Sequence, residues 1–288
     1  MVMHKYKKKF PWAETIIIGI MGILVVISTV FFATNLKTAD YVVETNAFFA
    51  PFEFYEGREI VGVDVEIIDR VAERMNAVIA VKNVEFDVII DNVEAGKIAD
   101  AGAAGLTITP ARLEKVDFSM PYYTSVQYVI YSVNNNVTLS DGHLVWENMA
   151  GKTIGSQTGS TGYMFAADEI DGGVLSHTNT SIKGLDSHQL AADAISAHMV
   201  DFVICDELVA NFIVEKNADL LAAPLYYSGE NGEADYPVEE SYAIAVNKSR
   251  EELLEAFNEV LAEMLTENEA GETEIDRLVL KYMGLSNG

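Results

Sequence analysis

The chain has 288 residues, of which 50% are hydrophobic and 22% are charged, and its formal net charge is −25. This length and composition suit one large or two medium globular domains and exclude the disordered class. The acidic balance argues against a nucleic-acid partner, because phosphate recognition needs a basic face. With Cys205 as its one cysteine, the sequence excludes an internal disulfide and a cysteine-based metal cluster. The five His residues lack ligand spacing, so we expect neither a metal nor a cofactor.

Residues 1–37 have the pattern of a membrane-targeting segment. Residues 1–9 are basic, and residues 15–36 carry no charge over a length that can cross a bilayer as a helix. The basic side predicts a cytoplasmic N-terminal tail and an extracytoplasmic remainder. A retained anchor and a cleaved signal peptide both fit, and cleavage would give a secreted protein. The apolar run exceeds the usual signal-peptide core and no clean cleavage site follows, which favours the anchor.

Beyond residue 40, strand-like and helix-like segments alternate. The predicted elements in chain order are a strand at 41–45, a loop rich in Phe at 46–54, a helix after Gly62 capped by Asp64, a strand at 77–81, a helix at 88–96, strands at 98–104, 125–131 and 151–155, a helix at 187–199, strands at 201–205 and 242–246, a helix opened by a capping box at Ser249, and a helix at 275–283. This alternation indicates an α/β fold with largely parallel sheets.

Residues 103–112 place a glycine, hydroxyls and an arginine at the start of a predicted helix. Thr109 suits the N-cap and Pro110 the first helical position. Gly105 lets the backbone approach a ligand closely, and the planar fork of Arg112 suits the two oxygens of a carboxylate. A helix N-terminus also favours an anion. The alternative is an ordinary capped helix with a surface arginine.

Two later positions also have both a structural and a functional interpretation. Residues 155–162 form a second loop of glycines and hydroxyls before a predicted helix, which is either a plain strand-to-helix turn or a second anion site. Asp206 follows a buried-looking strand, where it is either a helix N-cap or a ligand-binding acid. Two α/β units with such loops suggest two lobes that face a shared cleft.

Taken in order, these segments resemble the extracytoplasmic amino-acid-binding proteins of ABC importers, solute-binding protein family 3. The resemblance covers nearly everything from Tyr41 to Gly284. It implies an α/β, two-lobed, periplasmic-binding-protein-like fold (type II, Venus flytrap), with lobe 1 at 41–124 and 240–288 and lobe 2 at 125–239. The segments that carry it are 49–54, 62–64, 104–109, Arg112, 116–119, 121–123, 157–162 and Asp206.

The resemblance also implies a ligand and a site. In such proteins a free L-amino acid binds as a zwitterion and is delivered to a transporter permease. Its α-carboxylate meets Arg112, Thr107 and N–H groups near Gly105 and Thr161, and its α-amino group meets Asp206 and the Gly105 carbonyl. The remaining implied site residues are the aromatic walls Phe49 and Phe86, the neighbouring Ala104, and Asn46 and Gln157 at the ligand side chain.

The side-chain end of this implied site is uncharged. Asn46 and Gln157 occupy positions where relatives often carry charged residues. The lack of an acid at 46 disfavours a Lys or Arg ligand, and the lack of a base at 157 disfavours Glu or Asp. The sequence therefore favours a neutral polar amino acid.

Two other functions stay open at this point. A dehydratase-type enzyme on the same fold would need a general acid in the cleft, and no second acid is conspicuous beside Asp206. An amino-acid-sensing ectodomain would suit a retained anchor. The short N-terminal tail, however, is too small for a cytoplasmic signalling enzyme. We therefore expect a binding protein whose partners are a free amino acid, a permease and, through the N-terminal segment, the membrane.

Overall fold

The structure is a computed structural model that describes residues 39–135, 137–229 and 233–284. The expected membrane segment at 15–36 lies outside the described residues. Among the helices that are described, none combines the length and the apolar character needed to cross a bilayer.

Sixteen strands and eight α-helices are found in the described part of the chain. The strands are β1 Tyr41–Thr45, β2 Phe48–Phe49, β3 Glu53–Glu56, β4 Glu59–Val61, β5 Ile79–Asn83, β6 Ala101–Gly102, β7 Asp117–Phe118, β8 Tyr123–Ser132, β9 Leu144–Val145, β10 Thr153–Gln157, β11 Ser181–Leu185, β12 Phe202–Asp206, β13 Leu220–Tyr227, β14 Tyr236–Pro237, β15 Glu239–Tyr242 and β16 Ala245–Val246. The helices are α1 Val63–Met75, α2 Ile89–Ala95, α3 Pro110–Lys115, α4 Thr161–Asp171, α5 His188–Ser196, α6 Glu207–Glu215, α7 Glu251–Met264 and α8 Glu274–Tyr282.

The first sheet has five strands in the order β5-β1-β6-β16-β7. Strand β1 pairs in parallel with β5 and β6, and β16 runs antiparallel to β6 and β7. Because β1 and β6 are parallel neighbours, their carboxyl ends meet at one edge of the sheet. Asn46 and the segment 103–107 leave the sheet there, at the edge where α/β folds bind ligands.

The second sheet has its central strands in the order β11-β10-β12-β8-β13-β14. Strands β10 and β12 are parallel neighbours, with Ile154 opposite Phe202. Their carboxyl ends therefore also share an edge, and these ends are Gln157 and Asp206. Each sheet thus presents its candidate residues at one edge.

The chain passes between the two sheets through β8 and returns through β15. These two strands pair antiparallel, with Tyr123 opposite Tyr242 and Val126 opposite Glu239. The α/β architecture with two sheets and crossing strands agrees with the expected two-lobed fold. The boundaries at 124/125 and 239/240 stay a prediction. Below, the first lobe is the part built on the five-stranded sheet, and the second lobe is the part built on the sheet that contains β10 and β12.

Helix α1 begins differently from the prediction. Its N-cap is Gly62, with φ +136°, and Asp64 lies in the first turn. A Cβ at position 62 would lie 2.1 Å from the carbonyl oxygen of Phe52, so only glycine fits. The prediction that Asp64 is the N-cap is wrong. Its carboxylate is buried, where it accepts hydrogen bonds from the hydroxyl of Tyr122 (2.5 Å) and from the N–H of Gly105 (3.1 Å).

Candidate functional site

Arg112 is a buried cation without an anionic partner. Helix α3 begins with Thr109 as N-cap, whose hydroxyl accepts the N–H of Arg112 at 3.2 Å, as predicted. The guanidinium points inward, donates to the carbonyls of Thr107 (2.8 Å) and Gly159 (3.1 Å), and leaves Arg112 only 7% exposed. Among the described residues, no carboxylate lies within 4.0 Å of it. Burial lowers the pKa of Arg112 to about 10.

A helix N-terminus from the second lobe faces the same place. Helix α4 begins at Thr161 with the Ser160 hydroxyl as its cap, and the Thr161 hydroxyl lies 3.4 Å from that of Thr107 in the first lobe. The ring of Phe86 lies 5.7 Å from the guanidinium carbon of Arg112. Two hydroxyls, a guanidinium and a helix N-terminus are thus together, which is a suitable environment for a carboxylate.

Asp206 is the acid of the candidate site in the second lobe. It occupies the N-cap position of α6, yet its side chain makes no capping hydrogen bond. Its carboxylate instead accepts from the side-chain nitrogen of Gln127 at 2.9 Å. Burial and, to a lesser extent, the neighbouring Glu240 raise the pKa of Asp206 well above its ordinary value. Asp206 is therefore the N-cap of α6 by position, as one alternative predicted, but its carboxylate does not cap the helix.

Asn46 and Gln157 meet across the cleft. The side-chain nitrogen of Gln157 donates to the side-chain oxygen of Asn46 at 2.9 Å and to the carbonyl of Asp186 at 3.1 Å. The nitrogen of Asn46 donates to the carbonyl of Val84 at 2.7 Å. Both amides are buried and neither has a charged partner, so this end of the site is polar and uncharged.

Phe49 packs between this polar end and the glycine loop. A Cβ at Gly105, which has φ +54°, would lie 2.4 Å from the Phe49 ring, so the ring covers the glycine. On its other side the ring is 5.7 Å from that of His188, between ring centroids. His188 is fully buried in the second lobe, burial lowers its pKa to about 4, and its Nδ1 has no hydrogen-bond partner among the described residues.

Two predicted residues contribute less than expected. The side chain of Ala104 is 1% exposed and packs with Ile89 and Leu106 in the first-lobe core, so only its backbone can face the cleft. The N–H of Gly105, expected near the ligand carboxylate, donates to Asp64. That N–H would have to leave Asp64 before it could bind a ligand.

Four residues that complete the candidate site were not predicted as part of it, namely Asp64, which was assigned only a capping role, and Gln127, His188 and Glu240, which were assigned no role. Of these residues, Gln127 was the easiest to recognise from the sequence, since it is an amide in the middle of a run of β-branched and aromatic residues. Glu240 belongs to the pair Glu239-Glu240, which has the pattern of a charged surface segment. Only its contacts in the folded structure show that it is part of the candidate site. His188 follows a cap residue at a helix start, where a histidine has no special meaning.

Comparison with known proteins identifies the family. The family model of bacterial extracellular solute-binding proteins, family 3, matches residues 41–284. The chain belongs to this family. It is 28% identical over 226 residues to the arginine-binding extracellular protein ArtP of Bacillus subtilis, which covers 77% of this chain and 80% of ArtP.

Solved structures agree with this assignment. The amino acid ABC transporter substrate-binding protein AbpA of Streptococcus pneumoniae, solved with L-arginine bound, matches with a TM-score of 0.71 at 28% identity, over 85% of this chain and 94% of AbpA. An ancestral arginine-binding protein bound to glutamine matches with a TM-score of 0.67 at 30% identity, over 85% and 97% of the two chains. The resemblance to family 3 and the two-lobed α/β fold are confirmed. These relatives are named as binding proteins rather than enzymes, which removes the dehydratase alternative.

Proposed function

We propose that the cleft of this family 3 protein binds a free L-amino acid as a zwitterion and that the closed, loaded form delivers it to an ABC transporter permease. The observation that carries the proposal is a buried base and a buried acid that both lack ion-pair partners. Arg112 has no anion and Asp206 has no cation among the described residues, although each is less than a tenth exposed. Without a cation, burial raises the pKa of Asp206 and favours its neutral form, whereas an α-ammonium group would favour its carboxylate and an α-carboxylate would pair with Arg112.

We place the α-carboxylate at Arg112, Thr107 and the α4 N-terminus that begins at Thr161. The α-ammonium group then meets Asp206 and the carbonyl of Gly105. Because these groups come from both lobes, a ligand that pairs with them favours the closed arrangement over an open one. That difference in affinity is what shifts the population toward closure and signals the loaded state to the permease.

The ligand proposed for this cleft has a neutral polar side chain. Asn46 and Gln157 supply amide donors and acceptors, and His188 supplies a neutral ring with an unpartnered nitrogen. A guanidinium or ammonium side chain would find no carboxylate among these three. ArtP is named as arginine-binding and AbpA was solved with arginine, and an ancestral protein that is also named as arginine-binding was solved with glutamine. Glutamine is therefore our first candidate, and arginine is the alternative that the test must separate.

The proposed location of the protein is the outer face of the cell membrane. Proteins of this family are extracellular solute-binding proteins, and the uncharged segment at 15–36 is proposed to hold this one at the outer face of the cell membrane. The lobe boundaries proposed are 41–124 with 240–288 and 125–239. They agree with β8 and β15 as the paired crossing strands.

A thermal-shift screen of the full chain in detergent against all twenty amino acids, followed by calorimetry, tests the proposal. A tight ligand raises the melting temperature by mass action, and glutamine or another neutral polar amino acid should give the largest rise. A larger rise with arginine or lysine would refute the ligand class while keeping the function. If no amino acid raised the melting temperature, the function itself would be wrong.

A further inference from the structure

Asp64 is a buried acid on α1 that binds the glycine loop of the proposed site. Its Oδ2 accepts the N–H of Gly105 at 3.1 Å, and its Oδ1 accepts the hydroxyl hydrogen of Tyr122 at 2.5 Å. Gly105 is buried as well and lies outside every helix and strand. Among the described residues, the carboxylate of Asp64 is the only group that accepts the N–H of Gly105.

The backbone at the start of α1 fixes the position of Asp64. The N–H of Asp64 donates to the carbonyl of Phe52 at 3.0 Å, and the N–H of Val63 donates to the carbonyl of Pro51 at 3.2 Å. The preceding Gly62 packs so closely on Phe52 that no side chain fits there. The first turn of the helix is therefore tied to the chain segment just before β3, and the carboxylate of Asp64 is held in place by contacts that do not involve the ligand cleft.

The two polar groups of Gly105 are used differently. Its N–H is bound to Asp64, whereas its carbonyl accepts no hydrogen bond from any described residue. Gly105 has φ +54° and is covered by the ring of Phe49, so its peptide groups have little freedom to rotate. A buried carbonyl without a donor is costly, and an α-ammonium group is a donor that would satisfy it.

The charge of Asp64 strengthens this arrangement. Burial raises the pKa of Asp64 to about 6, and the hydrogen bonds from Tyr122 and Gly105 oppose that rise, so the group is ionised at pH 7. Glu53 on β3 also faces it, and burial raises the pKa of Glu53 well above its ordinary value, which keeps Glu53 neutral. A hydrogen bond from an N–H to a carboxylate is roughly twice as strong as one between neutral groups. A ligand carboxylate would have to break that bond and approach a negative charge in order to bind the N–H of Gly105.

We propose that Asp64 is a positioning residue that keeps the N–H of Gly105 when the ligand binds, so that only the Gly105 carbonyl faces the ligand and accepts from its α-ammonium group. The proposal rests on the zwitterion site described above. It leaves the ligand carboxylate to Arg112, Thr107 and the N-terminus of α4, without the Gly105 N–H that the sequence led us to expect there. Asp64 thereby determines which end of the amino acid lies at the glycine loop.

Nuclear magnetic resonance of the full chain in detergent, labelled with ¹³C and ¹⁵N glycine, follows both polar groups of Gly105. Gly105→Ala identifies their signals. Saturation with the best amino acid from the screen should shift the Gly105 carbonyl carbon, which gains a donor. The amide proton should stay bound to Asp64, so its signal should differ between wild type and Asp64→Asn both without and with ligand.

Two results of this experiment would overturn the proposal. One is an amide proton whose signal depends on Asp64 without ligand but no longer depends on it with ligand, because the ligand carboxylate would then have taken the N–H. The other is a Gly105 carbonyl carbon that does not shift when the ligand binds. Both signals come from wild type and from the conservative variant, so this test does not require a variant that lacks the polar side chain.

Affinities separate positioning from a general structural role. The oxygen of Asn can still accept the N–H of Gly105, and its nitrogen can donate to the hydroxyl of Tyr122. Calorimetry should therefore give Asp64→Asn an affinity within about threefold of wild type, and Asp64→Leu at least about tenfold weaker binding. Tyr122→Phe removes only the other hydrogen bond of Asp64 and should bind within about threefold of wild type. Asp69→Leu, the same change at an exposed residue of α1, should bind like wild type.

The proposal would be wrong if Asp64→Leu bound within about threefold of wild type, or if Asp64→Asn were as weak as Asp64→Leu. If Asp64→Leu did not fold, the Gly105 signals of wild type and Asp64→Asn would decide the question.

The ligand-free spectra distinguish this inference from the proposed function. If the Gly105 amide signal is the same in wild type and Asp64→Asn without ligand, the hydrogen bond does not exist and the inference fails, whether or not an amino acid binds. If the signal depends on Asp64 but no amino acid binds, the proposed function fails, and the ligand part of this inference fails with it.

Discussion

Replacement of Arg112 by methionine should separate the effect on ligand binding from the effect on folding stability. Burial of the guanidinium destabilises the empty protein, whereas its charge is proposed to bind the ligand carboxylate. The lowered pKa of Arg112 corresponds to about 3 kcal/mol that the empty protein spends to keep this charge buried. The side chain recovers a similar amount from its hydrogen bonds to the carbonyls of Thr107 and Gly159, at about 1.5–3 kcal/mol for each bond from a charged donor. Arg112→Met removes both effects, and the methionine fills part of the vacated volume. We expect the free energy of unfolding of the empty protein to fall by no more than about 2 kcal/mol.

Binding should respond far more strongly to the same change. Loss of one partner of a desolvated ion pair costs about 2–5 kcal/mol, which corresponds to about 30-fold to 5,000-fold weaker binding. Calorimetry with the best amino acid measures this loss, and urea unfolding measures the stability. Lys115→Met is the control on the same helix, since Lys115 is exposed and pairs only with Asp91 at the surface. Binding of Arg112→Met within about threefold of wild type would refute the assignment of the carboxylate site.

Three further changes test other parts of the site. Asn46→Asp puts a carboxylate where the ligand side chain is proposed to lie, and this carboxylate can still accept the hydrogen bond from Gln157. Calorimetry should show that arginine binds at least about tenfold more tightly to this variant than to wild type. An unchanged affinity for arginine would count against this side-chain site. Gly105→Ala adds a Cβ 2.4 Å from the Phe49 ring at a residue with positive φ. The melting temperature should therefore fall, and the affinity should fall by about tenfold. Wild-type values of both would show that the Phe49 ring can move aside without cost. Burial raises the pKa of Asp64 from 3.8 to about 6, so the folded state holds this proton more tightly than the unfolded chain does, and the stability that the proton contributes is lost as the pH rises through 6. Between pH 4 and pH 7.5, urea unfolding should show that wild type loses up to about 3 kcal/mol relative to Asp64→Asn. Parallel pH profiles of the two proteins would contradict this.

Features that depend on neighbouring residues were predictable from the sequence. The N-cap of α3 at Thr109 and the end of α2 at Gly96 were both predicted, because capping needs only a side chain or a positive φ within the same turn. The loops at 103–112 and 155–162 were also recognised from their residue types. Local chemistry thus pointed to the half of the candidate site where the carboxylate is proposed to bind.

Features that depend on distant contacts were not predictable. Asp64 looked like an N-cap because it follows Gly62, yet its partners Gly105 and Tyr122 are 41 and 58 residues away. Glu240 contacts Thr107 across 133 residues. Ser249 looked like the first residue of a capping box, whereas the structure places the N-cap at Arg250 and pairs the Ser249 hydroxyl with Asn247. Asp64 and Glu240 thus find partners in distant segments of the folded chain, which a single sequence does not reveal. Ser249 differs, because its hydroxyl pairs with a residue two positions earlier instead of capping its helix.

The central claim is that this cleft recognises both charges of a free amino acid, and blocked ligands test it most directly. Calorimetry of the full chain should compare glutamine, or whichever amino acid the screen selects, with its N-acetyl derivative and its α-carboxamide. Each blocked form should bind at least about 100-fold more weakly, since the N-acetyl derivative leaves Asp206 and the α-carboxamide leaves Arg112 without its partner. Equal binding of either blocked form would contradict the claim.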